Sequence, residues 1–167
     1  MTDPVQASDS PRQPSLQIEK LYVKDSSLEV PNAPQVFTQQ AQPEVEVQIA
    51  TAAAQFAEGY FEVTVTATVT ARAADKALFL IEVAQAGIFS LQNVPPEQLD
   101  ALLGIACPQI LFPYLREAIS DQVVRGGFPP VLLAPVSFEA LYMQRMQQQQ
   151  QPPQGPESGG PKIELAR

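Results

Sequence analysis

The chain has 167 residues, is 45% hydrophobic and carries a formal charge of -8. That is enough apolar material for one domain with a real core, and the acidic balance argues against a nucleic-acid partner, whose phosphates need a basic footprint. With no histidine, no tryptophan and a single cysteine, a histidine-based triad, a Cys–His pair and a histidine-bearing metal site are excluded, so the expectation is no cofactor, no metal and no enzymatic activity.

Residues 1–15 are polar, interrupted by Pro4, Pro11 and Pro14, and lack the apolar stretch of a signal peptide. They read as a disordered tail. A first strand covers about Leu16 to Val30. Its inward parity switches between Ile18 and Leu21, which predicts a bulge near Glu19-Lys20, and a second switch falls beyond Asp25. Pro31 to Pro43 is too long for a tight hairpin and contains Pro31, Pro34 and Pro43. It is read as a long surface crossover between strands one and two, with Val36 and Phe37 inside it.

Val45, Val47 and Ile49 then alternate with Glu44, Glu46 and Gln48 along a second strand. The two glutamates are better explained as a solvated face than as an acid–base pair. Glu58-Gly59 supplies a turn. In the third strand, Tyr60 to Ala71, the residues Phe61, Val63, Val65, Ala67, Val69 and Ala71 point inward, and Glu62 and four threonines point out. Ala73-Ala74-Asp75 turns the chain into a fourth strand, Leu78 to Ala84, with Phe79, Ile81 and Val83 inward.

The second half is helical. Pro95-Pro96-Glu97-Gln98 starts a short helix that Gly104 is expected to end. A long helix follows, with Leu111, Leu115, Ile119 and Val123 four apart on one face. Pro108 suits its first turn, and Pro113 is expected to break or kink it near Gln109. Arg125-Gly126-Gly127 stops it. Cys107, beside a proline among apolar residues, reads as buried and inert. Ser137 caps a last helix that carries Phe138, Leu141, Tyr142 and Met146 on one face. From about residue 148 to 167 the chain is rich in Gln, Pro and Gly and reads as a second disordered tail. The fold class is α+β: a four-stranded antiparallel sheet with helices packed on one face.

Sheet parity leaves one face open. Leu80 and Glu82 on strand four, with Asp25 and Glu29 near the end of strand one, should lie on it. The apolar residues on the crossover, Val36 and Phe37, and on the last helix, Phe138, Leu141, Tyr142 and Met146, are candidates for an adaptable binding surface, since Met and aromatic side chains on mobile elements can repack. For Phe138 and Leu141 the alternative is an ordinary core role. No apolar run approaches the roughly 18 residues that span a membrane, so a cytoplasmic protein without membrane insertion is expected.

Several blocks of this sequence resemble the SecB family of bacterial export chaperones. They are Tyr22-Val23-Lys24-Asp25, Val30-Pro31-Asn32-Ala33-Pro34-Gln35-Val36-Phe37, Gly87-Ile88-Phe89-Ser90, Cys107 to Arg116, and Leu133 to Leu141. They occur in the family's order across roughly residues 16–147. The resemblance implies a chaperone that keeps newly synthesised precursor proteins unfolded and delivers them to SecA, the translocation motor. It also implies a homotetramer built as a dimer of dimers, and it assigns Asp25, Glu29, Leu80 and Glu82 to the surface that meets SecA. A binding module for a single apolar ligand or partner is the alternative.

Overall fold

A computed structural model describes residues 13–38 and 42–150. Four strands, β1 (Ser15–Glu29), β2 (Glu44–Ala57), β3 (Tyr60–Ala73) and β4 (Lys76–Gln92), form one antiparallel sheet in the order β1-β4-β3-β2. β1 and β2 are therefore its two edges, and the chain crosses from one edge to the other between them. Of that crossing, a short 3-10 turn at Gln35–Thr38 is described. Residues 39–41 lie outside the described residues, as do 1–12 and 151–167, where most of the two expected tails fall.

β3 has the expected period of two. Val63, Val65, Ala67, Val69 and Ala71 are fully buried, and the residues between them are half-buried. The expected first bulge of β1 is present as a register shift between Ile18 and Lys20; the second shift falls between Val23 and Asp25, ahead of the position expected for it beyond Asp25. Glu58-Gly59 and Ala74-Asp75 make the two tight turns. Gly59, Ala74 and Asp75 all take the positive φ that such turns require.

β4 is longer than the predicted Leu78 to Ala84. It runs on to Gln92 because it is an inner strand, paired on both sides, and its alternation fades where Gln85, Ala86 and Gly87 are all buried. Gly87 has a packing reason: a methyl group there would lie 3.0 Å from Leu111 and 3.1 Å from Leu21.

Three helical segments follow, α1 (Pro96–Ala101), α2 (Cys107–Arg125) and α3 (Phe138–Gln150). Leu111, Leu115, Ile119 and Val123 of α2 are fully buried against β3 and β4, as the spacing predicts. Two helix expectations are corrected. Gly104 does not end α1. The chain passes into α2 through a π turn at Leu102–Ala106, in which the Cys107 N–H donates to the Leu102 carbonyl. Nor does Pro113 break α2, which continues through it. Pro108 has no N–H to donate one turn back, and the irregular turn falls immediately ahead of it.

Candidate client and partner surfaces

At the C-terminal end of α2, Gly127 takes φ +85°. Phe128 N–H donates to the Val123 carbonyl at 3.1 Å and Gly127 N–H to the Val124 carbonyl at 3.0 Å, the double bond of a left-handed helix stop. The Phe37 ring rests on this glycine, where an added methyl group would lie 3.1 Å from a ring carbon. Phe37 also packs on Phe128, with ring centroids 5.3 Å apart, and Phe128 on Phe79 at 4.9 Å. Phe37 is 52% exposed and Val36 beneath it is buried. The first apolar station is thus an exposed ring on the half-buried Phe128, which in turn packs on the buried Phe79.

The second station lies at the other end of α2. Ser137 Oγ accepts the Ala140 N–H at 3.2 Å, capping α3 as expected. Phe138 is buried edge-on against Phe112, centroids 5.7 Å apart. Leu141 and Tyr142 are half-buried and Met146 is 39% exposed. The Tyr142 ring sits over Gly104 in the π turn. Val36 and Phe138 are therefore core residues in this chain, and of the six candidates Phe37, Leu141, Tyr142 and Met146 keep solvent-accessible surface. These four are not brought together. Gly104 and Gly127 are separated by roughly 35 Å of helix, so the candidates divide into two stations. Sequence reasoning missed both glycine seats; for Gly104 the available signal was a glycine inside a helical run, whereas Gly127 is legible only as part of the helix stop.

The open sheet face does bring its four candidates together. Glu29 stands opposite Leu80, Ser27 opposite Glu82, and Asp25 opposite Ala84. Paired residues share a face, so three exposed carboxylates lie on the same face as the half-buried Leu80, with Glu29 and Glu82 next to it and Asp25 further along. Glu82 accepts a hydrogen bond from Thr68 Oγ1 at 3.0 Å. On the same face Lys24 Nζ lies 2.6 Å from Glu62 Oε2, and the Tyr22 hydroxyl donates to Glu62. The bonds from Lys24 and Tyr22 lower the pKa of Glu62 below its ordinary value. The same Glu62 bond, with burial, pushes the Tyr22 hydroxyl up to about 12. Cys107 is fully buried, and desolvation pushes its thiol up to about 12. Among the described residues no group of three or more Asp, Glu, Cys or His side chains could hold a metal ion, and no helix is long and apolar enough to cross a membrane.

The family described as SecB, preprotein translocase subunit SecB, matches residues 9–149. This chain belongs to the SecB family. Among its relatives, the protein-export protein SecB of Chromobacterium violaceum is 64% identical over 137 residues, covering 82% of this chain and 91% of that one. The SecB of Methylobacillus flagellatus is 58% identical over 144 residues, covering 86% and 92%. A SecB-like chaperone from Mycobacterium tuberculosis, solved in complex with a ChAD peptide from an antitoxin, shares the fold. Its TM-score is 0.61 at 18% identity, over 72% of this chain and 90% of that one. The SecB family is one of protein-export chaperones.

Proposed function

We propose that this SecB protein holds newly synthesised precursor proteins unfolded in the cytoplasm and delivers them to SecA. The observation that carries the client role is the pair of apolar stations at opposite ends of α2. An unfolded chain has no fixed shape to recognise, but it can reach across roughly 35 Å with about 11 extended residues. Each contact is weak, and several along one wrapped client give the affinity. The acidic patch around Leu80 supports a docking role toward SecA.

The assembly is a homotetramer, a dimer of dimers. Ile18 and Val23 on the β1 edge are about half exposed, and the outer side of α2 and the loop after it expose Tyr114, Val124 and Leu132, the last at 76%. Large apolar side chains on a free strand edge and a helix surface favour burial against further copies. Light scattering should give about four times 18.1 kDa.

The decisive test is client breadth. The protein should suppress aggregation of several unrelated denatured precursors without nucleotide. Protection of a single ligand, with no effect on the others, would instead support a dedicated binding module.

A further inference from the structure

β2 ends the sheet, so its outer edge carries backbone groups that no strand among the described residues takes up. In an antiparallel strand, alternate residues turn both N–H and C=O away from the neighbour. Thr51 is such a residue: Arg145 Nη2, on α3, donates to its carbonyl oxygen at 3.3 Å and to its Oγ1 at 2.7 Å. Ile49 and Ala53 share its outward phase, each roughly 7 Å along the strand. The Arg145–Thr51 bridge stands across a groove between this edge and α3. On one side lies a hollow of about 320 Å³ that includes Ala53, Leu103, Tyr142 and Met146. On the other lies one of about 180 Å³ that includes Ile49 and Leu141. Thr51 and Arg145 bound both. One side chain divides a groove that has a hydrogen-bonding ladder on one wall and apolar side chains on the other.

We propose that Arg145 is a gate on this edge. It occupies the Thr51 carbonyl until an extended segment of unfolded polypeptide displaces it and pairs along Ile49, Thr51 and Ala53. This rests on the client-binding reading above and adds what regulates one wall of that surface. Arg145 is exposed, so its charge returns to water without penalty, and the carbonyl exchanges one donor for another. A free strand edge is a template for any chain that can pair with it. A guanidinium across the edge yields to a partner with free backbone N–H groups, which unfolded chains have along their whole length and folded proteins keep only at sheet edges and loops. The gate therefore selects for backbone, independent of client sequence.

The test uses the intact protein and fluorescence anisotropy with two labelled probes: a short apolar peptide of alternating valine and threonine, and the same peptide N-methylated at alternate backbone amides. Arg145→Ala and Thr51→Val should bind the unmodified peptide roughly two- to tenfold more tightly, the worth of one ordinary hydrogen bond. Arg145→Lys should stay near wild type, and the methylated peptide should show no gain. Equal or weaker binding of the unmodified peptide overturns the gate, as does the same gain for both peptides, which would make Arg145 a mere obstruction. Hydrogen exchange over α3 shows whether Arg145→Ala has loosened the helix; if it has, Thr51→Val, which keeps every side chain of α3 and is checked by the same exchange measurement, decides. Wild type that neither binds the peptides nor suppresses aggregation overturns the client reading itself, whereas wild type that protects clients but lacks these differences overturns the gate alone.

Discussion

The Tyr142 ring lies so close to Gly104 that a methyl group on the glycine would come within 2.6 Å of ring carbon Cδ2. Glycine inside a helical run costs about 0.5–1 kcal/mol relative to alanine, so propensity alone says that Gly104→Ala stabilises. The contact says the reverse. We expect a loss of about 1–3 kcal/mol from overpacking, read as a lower denaturant midpoint with faster hydrogen exchange over α3. Adding Tyr142→Ala should restore part of it; strict additivity of the two changes would show that the ring is not the cause.

Client capture should depend on both stations. Phe37→Ala with Met146→Ala removes one exposed apolar side chain at each end of α2 and leaves the Tyr142 seat intact. A fully buried side chain of this size contributes about 1.5–3 kcal/mol. Each single variant should slow aggregation suppression and the pair should abolish it, while light scattering still reports the assembled protein. A double variant that protects clients as well as wild type would place the client surface elsewhere.

On the open face, Glu29→Lys with Glu82→Lys should weaken SecA binding without lowering the melting temperature. Exposed charge pairs are worth about 0–1 kcal/mol each, so affinity must come from several together and fall as salt is raised. Calorimetry at low and high salt checks both statements. Affinity unchanged at low salt would remove the patch from the docking surface.

Glu62 links the sheet to pH. Its folded pKa is held below the unfolded value, first by Lys24 and then by Tyr22. Its contribution to stability is therefore complete above the ordinary glutamate range and is lost as pH falls through the lowered folded value. Tyr22 works in the opposite sense: a hydroxyl raised from 10 to about 12 contributes below pH 10 and is lost between there and about 12. Glu62→Gln should flatten the acid limb of a stability–pH profile. An acid limb identical to wild type would show that Glu62 does not shape it.

Cys107 should label only on opening. Its thiol is buried and its pKa is raised to about 12, so it stays protonated through the range where ordinary thiols ionise. Maleimide labelling of the folded protein should be slow, follow unfolding in denaturant, and rise little between pH 7 and 9. Cys107→Ala should keep client binding. Rapid labelling under native conditions would contradict the burial.

Much of this fold is legible in residue order where one face is wet. β3 is apolar at every second position and α2 at every fourth, because each has a buried side and an open one. Parity likewise places Asp25, Glu29, Leu80 and Glu82 on one surface, since a strand offers only two. Legibility fails where both faces are covered, as along Gln85 to Gly87, and where a residue matters for the atoms it lacks. Gly104 looks like a helix stop because nothing in its neighbours shows the ring it admits. The six apolar candidates were named by residue type, but the separation of their stations depends on α2 running unbroken through Pro113. Arg145, in a glutamine-rich helix, reads as solvation until the β2 edge is seen beside it.

The π turn at Leu102–Ala106 closes its hydrogen bond one residue later than an α turn does, which leaves α1 and α2 wound out of phase by about one helical step, roughly 100°. A deletion of one residue within it would yield a continuous α-helix that no backbone rule forbids, yet it would swing α1 around its axis and carry the Gly104 seat away from Tyr142. Substitution and length change are therefore not equivalent here. The residue count of the turn is a dimension of the protein, and an insertion or deletion would be felt as a displaced α3.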